Sequence, residues 1–180
     1  MDVDVAGDTQ RDAQKRAAAE AAAALIEDGM VVGLGTGSTA YFAIEALIRR
    51  VRDGLRIVGI ATSERSAAQA RAGGIPITSF AEHPRIDLTI DGADEIARGS
   101  LNLIKGHGGA LLHEKIVAAA SSRLVIVADA RKLVDQLGTV VKLPVEVVPF
   151  GYFFAFWCND KRRIPLPYVN EVDFKSRSIP

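Results

Sequence analysis

Three carboxylates fall within five residues of one another. Asp91, Asp94 and Glu95, in "TIDGADEI" (89–96), end the apolar run "IDLTI". Like charges this close raise one another's pKa, and a carboxyl group held protonated near neutrality suits acid/base work. A solvated acidic loop has the same composition. The small Gly92 and Ala93 leave room for a ligand beside Asp91 and Asp94. A second stretch, "LIKGHGGALLHEK" (103–115), sets Lys105 before a glycine-rich turn that opens a helix carrying Glu114. There a lysine can neutralise an oxyanion, loop amides can hold oxygens and a glutamate can move a proton. On spacing alone Glu114 reads better as a surface helix residue paired with a neighbour. A third stretch, "GLGTGST" (33–39), is a glycine-rich turn from strand into helix. Its amides and the helix start favour an anion, with the hydroxyls of Ser38 and Thr39 as further donors. The alternative is a tight turn with a serine cap. It is not a dinucleotide fingerprint, because the third glycine would stand at Ser38. Lys132, in "DARK", reads as a phosphate contact or as an ordinary exposed lysine. His107 and His113, six apart across a glycine turn, fit no common metal site, and no metal is expected.

These stretches need a frame. The alanine-rich 12–29 has strong helix propensity and stops at Gly29. "MVVGLG" (30–35) reads as a buried strand. Apolar residues at 40, 43, 44, 47, 48 and 51 mark an amphipathic helix. Strands are expected at 55–61, 86–90, 123–129 and 140–149, and helices at 63–74 and 108–121. Strand and helix alternate, which predicts an α/β fold: a mostly parallel sheet with helices on both faces. In such sheets ligands bind at the carboxyl ends of the strands. "GTGST", "TSERS", "DGADE" and "DARK" all fall there.

The 180 residues hold 22 basic and 22 acidic side chains, so no general field favours nucleic acid or anionic lipid. No apolar run approaches the ~18 residues of a membrane span, and the N-terminus shows no secretory core. Cys158 is the only cysteine, which excludes an internal disulfide. A cytoplasmic protein is expected. Composition changes after Phe150. Residues 151–180 hold the only Trp and four of the seven Phe, and lack alanine after Ala155. The expected division is one α/β domain over 1–150, which carries these motifs, and an atypical tail over 151–180.

Taken in order, "GLGTGST", "DGADE", "KGHGGALLHEK" and "DARK" resemble the type A family of ribose-5-phosphate isomerases, from about Lys15 to Pro149. The resemblance implies the interconversion of ribose 5-phosphate and ribulose 5-phosphate through an enediolate, in the pentose phosphate pathway, without metal or organic cofactor. It implies Glu114 as the base between C1 and C2. Asp91 and Asp94 would handle hydroxyl protons, and Lys105 would stand beside the reacting oxygens. The implied substrate contacts are Lys15, Thr36, Gly37, Ser38, Thr39, Gly106, His107, Gly108 and Lys132. The expected partner is a small sugar phosphate, with no nucleic acid or membrane, and a homodimer is a possible assembly. Two departures stand out. His107 interrupts a loop that is usually all glycine, and His113 stands where arginine is common. The tail lacks the family's second α+β domain and reads as an alternative ending. That leaves a rival expectation: a sugar-phosphate-binding but catalytically impaired truncated variant, or a sensor module. A sensor has no need for Glu114.

Overall fold

The computed structural model describes residues 5–145. The expected boundary at 150 and the tail beyond it lie outside the described residues.

Helix α1 (Val5–Ala23) opens the described chain. Ala19, Ala22 and Ala23 are buried at helical spacing. Side chains this small let α1 lie close against α2 (Ser38–Arg52). The helix ends before the expected position, and a turn with Gly29 at φ 83° leads into the sheet. Strand β1 (Val31–Leu34) runs into the glycine turn and α2. Then come β2 (Val58–Ala61), α3 (Glu64–Ala72) and β3 (Ile86–Asp91). Strands β4 (Glu95–Ala97) and β5 (Leu103–Ile104) are next. Helix α4 (Leu111–Ala119) and β6 (Ser121–Ile126) precede a 3-10 turn at Ala130–Lys132 and β7 (Leu133–Val134).

The main sheet has the order β2-β1-β3-β6, and all its pairings are parallel. Two apolar clusters cover its faces. One joins α1, α2 and α3 to Val32, Leu34, Leu88 and Ile90. The other sets Val117 of α4 against Ile60 and Ile86. The α/β expectation with helices on both faces is therefore met. Register sets where the strands stop. Leu34 pairs with Ala61 and with Ile90, and Asp91 pairs with Ile126. The strands thus end level, and the loops after them leave the sheet along one edge.

The small second sheet, β5-β4-β7, has no signature in the sequence. Its strands are two or three residues long, too short to show a period. It matters because β5 delivers Lys105. The strand expected at 140–149 is not present over 140–145, where the chain bends without pairing. Its remaining residues, 146–149, lie outside the described ones. The cause is visible: buried Glu95 accepts hydrogen bonds from the N–H groups of Gly138 (2.5 Å), Val140 (2.6 Å) and Val141 (2.7 Å). Backbone donors taken by a carboxylate are not available to a ladder. No helix among the described residues is long and apolar enough to cross a membrane.

Candidate active site

Where β1 stops, its backbone groups need new partners. Gly35 N–H still reaches Ile90 O at 2.9 Å. Thr36 N–H, one residue on, donates to Asp91 Oδ1 at 3.2 Å. Gly35 has to be glycine, since a Cβ there would overlap Asp91 Oδ1 and Cα. Gly37 sits at φ 117° and is followed by the first turn of α2 without any side-chain cap. That leaves the N–H groups of the first turn directed along the loop, with exposed Ser38 and buried Thr39 at the helix start.

Asp91 is 1% exposed, and its other oxygen, Oδ2, is 2.9 Å from Lys105 Nζ. Oδ1 also accepts from Gly92 N–H at 2.7 Å. Lys105 donates to Gly92 O at 2.6 Å. Its ammonium also stands 3.3 Å from Glu114 Oε2. An ammonium has three protons. Two are directed at Gly92 and Asp91, and the third faces Glu114. Glu114 comes from the first turn of α4 and is buried, not the surface residue that spacing alone allowed. Its Oε2 is out of contact with solvent and accepts no well-aligned hydrogen bond. Burial pushes its pKa above the usual carboxylate range, and the Asp91 charge adds to the push, while Lys105 opposes it.

Asp94 Oδ2 accepts from the N–H of His107 at 3.0 Å. This bond pins the glycine turn, which Gly106 enters at φ 108°. Gly108 lies near Thr36, since a Cβ built on it would stand 3.7 Å from Thr36 Cγ2. The His107 ring itself is exposed. Thr36, Asp91, Lys105 and Glu114 therefore form one connected group at the level ends of the strands, with the Asp94–His107 pair close enough for the Asp94 charge to act on Glu114. Lys15 and Lys132 stand apart from these contacts. Lys15 pairs with Asp12 at 3.1 Å, and Lys132 closes the 3-10 turn. Their elements do meet, where Ala130 N–H reaches Gln14 Oε1 at 3.4 Å.

The three crowded carboxylates separate in space. Asp91 faces Thr36 and Lys105, Asp94 faces His107, and Glu95 turns away to hold 138–141. Burial raises the Glu95 pKa, but its three N–H donors outweigh that, so it lies below the usual carboxylate range. Crowding is thus relieved by private donors, and the group pushed up is Glu114. Four polar residues have a place here that sequence pattern does not assign: Glu95, and the hydroxyls Thr62, Ser63 and Ser66 behind Thr36. "TSERS" at a strand end is the available signal.

Known proteins resemble this chain in sequence and in fold. Residues 58–156 match the family described as ribose 5-phosphate isomerase A (phosphoriboisomerase A). Over 141 residues the chain is 66% identical to ribose-5-phosphate isomerase A of Gloeobacter violaceus, covering 78% of this chain and 61% of that protein. The same enzyme of Gluconobacter oxydans is 57% identical over 144 residues, covering 80% and 62%. The solved ribose 5-phosphate isomerase A of Methanocaldococcus jannaschii superposes with a TM-score of 0.78 at 40% identity, over 81% of this chain and 65% of that one. A D-ribose-5-phosphate isomerase in complex with phospho-erythronic acid superposes at 0.79 and 40%, over 82% and 65%. The chain spans about three-fifths of the length of the curated relatives it matches.

Proposed function

The chain belongs to the ribose 5-phosphate isomerase A family, and we propose that it interconverts ribose 5-phosphate and ribulose 5-phosphate. The observation that carries this reading is the buried Glu114 carboxylate beside an ammonium shared with Asp91. Isomerisation needs one base that removes a carbon-bound proton and returns it to the neighbouring carbon. Glu114 takes the C2 proton of the open-chain aldose, and the C–H electron pair forms the C1–C2 double bond while the carbonyl electrons move to O1. The third proton of Lys105 and the amides of the 106–109 turn stabilise that oxygen. Glu114 then returns the proton to C1, as a proton passes from O2 to O1. Asp91 and Asp94 handle the hydroxyl protons, including those of ring opening.

The phosphate lies at the 36–39 loop, where uncapped amides, Ser38 and Thr39 meet the positive end of α2. Lys15 and Lys132 add charge at that end. Phospho-erythronic acid, bound by the related enzyme, supports this reading. It carries a phosphate at one end and a planar anionic carboxylate beside a hydroxyl at the other, the charge pattern of a phosphorylated enediolate. The reading needs neither metal nor organic cofactor. It extends to a cytoplasmic enzyme of pentose phosphate metabolism and to a homodimer.

The test is an assay of ribose 5-phosphate conversion beside Glu114→Gln. Loss of a positioned base is expected to lower kcat by about 10²–10⁴-fold, with phospho-erythronic acid still bound within a few-fold. Full activity in the variant refutes the base assignment. A wild-type chain that binds phospho-erythronic acid without turning over substrate establishes the impaired reading instead.

A further inference from the structure

Behind the 36–39 loop four hydroxyls form a circuit, and the isomerisation chemistry uses none of Thr62, Ser63 and Ser66. Thr36 Oγ1 donates to Ser63 Oγ at 2.8 Å. Ser63 Oγ lies 3.0 Å from Ser66 Oγ. Ser66 Oγ donates to Gly35 O at 2.7 Å. The path leaves the Thr36 side chain and returns to the carbonyl of the adjoining Gly35–Thr36 peptide. Thr62 braces it from the side, donating to Leu34 O at 3.1 Å while standing 2.7 Å from Thr36 Oγ1.

Proton counting orders the network. Each hydroxyl has one proton. Ser66 and Thr62 give theirs to carbonyls and Thr36 gives its to Ser63, so Ser63 donates to Ser66. Thr62 and Ser66 are 1% and 5% exposed. Ser63 also caps α3, accepting Ser66 N–H at 3.3 Å, while the hydroxyls of Thr62 and Ser66 reach across to Leu34 O, Thr36 and Gly35 O, where β1 ends and the loop begins. Beyond the Gly35 N–H, which still reaches Ile90 O, the sheet no longer holds the chain. Ser66 grips Gly35 O from the α3 side, and Asp91 grips Thr36 N–H from the β3 side. The peptide at the entrance to the anion loop is held at both its carbonyl and its N–H.

We infer that Thr62, Ser63 and Ser66 are positioning residues for the phosphate end of the substrate: their hydroxyl circuit fixes the 35–36 peptide so that the amides after it converge on the anion. This inference rests on the phosphate-loop reading and names the device that maintains it. The same circuit joins the two ends of the site. Asp91 holds Thr36 on one side and Lys105 on the other, so a loop displaced at Ser66 shifts a partner of the Lys105–Glu114 pair.

The test is direct binding, with phospho-erythronic acid and inorganic phosphate as probes, for wild type, Thr62→Val, Thr62→Ser and Ser66→Ala. Thr62→Val keeps shape and removes the hydroxyl, and Thr62→Ser keeps the hydroxyl. Thr62→Val and Ser66→Ala are expected to weaken both probes about tenfold, and Thr62→Ser to bind within twofold of wild type. Thermal melting is recorded for every variant. Folded Thr62→Val and Ser66→Ala proteins that bind like wild type overturn the inference. So does a Thr62→Ser protein as weak as Thr62→Val, because the methyl and not the hydroxyl would then matter. A wild type that binds neither probe overturns it too. A wild type that binds both but converts no ribose 5-phosphate leaves the circuit standing and removes only the isomerase reading.

Discussion

Glu114 holds a charge that its surroundings resist. Burial and Asp91 raise its pKa, and Lys105 offsets only part of that. A base raised in this way takes a proton more readily than an exposed carboxylate. The acid limb of kcat/KM is therefore expected above 4.5, the ordinary value for glutamate. Residual activity in Lys105→Met should have its limb at still higher pH, because the opposing charge is gone. A limb that moves down, in a pH–rate profile, would contradict the ion pair. Stability runs the other way from activity. A folded pKa above the unfolded value favours the native state fully below the unfolded pKa, and that contribution is lost as pH rises through the folded value. Glu114→Gln removes the buried anion. At pH 8 the variant is expected to melt about 2–4 °C higher, the shift worth about 1 kcal/mol at this chain length. The difference should vanish near pH 4. Equal destabilisation at both pH values would show that packing, not charge, governs the site.

At the scale of elements, two short connections decide the geometry. The first is the 138–141 segment, which Glu95 holds under a thin cover of loop. Glu95→Gln replaces an acceptor-only group by one whose amide faces N–H donors. The expected cost is about 1–3 kcal/mol, read from the urea midpoint. Its sign with pH is opposite to that of Glu114. The folded pKa of Glu95 is lowered, so its contribution is present above the unfolded value and is lost as pH falls through the depressed folded value, a window below about pH 4.5. Asp129 acts in the same direction. Burial raises it, but hydrogen bonds from Arg131 hold it below the usual range. The second connection is the end of β1. Gly35→Ala would drive a methyl into the Asp91 Cα, a backbone atom that no rotamer change can move aside. Phospho-erythronic acid binding is expected to fall at least about tenfold, the effect of ~1.4 kcal/mol, in a titration of the folded variant. Unchanged binding would mean that the loop tolerates displacement.

At the scale of the molecule, the described residues leave one side of the main sheet thinly dressed. Strand β6 pairs only with β3 among them, and its Leu124 is 41% exposed. Leu112 and Ile116, one turn apart on α4, are also exposed. An edge strand with an exposed apolar side chain is a template for pairing between chains. With no net formal charge at pH 7 and a sequence pI near 6.8, long-range repulsion does little to oppose it. Leu124→Lys is expected to lower light scattering of concentrated protein at pH 7 at least about twofold, as edge lysines do, without loss of phospho-erythronic acid binding. Scattering that does not change would place self-association elsewhere.

Much of this protein is legible without coordinates. The alternation of apolar strand and amphipathic helix specifies the parallel sheet, because burial on both faces demands those periods. Glycines, hydroxyls and acids after successive strands mark one edge, because parallel strands all point their ends the same way. The family itself can be read from four ordered motifs. Tertiary structure decided the partners. Whether Glu114 faces water or a lysine depends on how α4 packs. Whether three neighbouring carboxylates repel depends on donors from 36, 107 and 138–141. The strands of the small sheet and the fate of 140–145 were equally out of reach, since segments this short are set by what lies across from them in space. A sequence records which groups are available, but the distances that turn them into partners exist only once the level ends of β1, β2, β3 and β6 have been brought side by side.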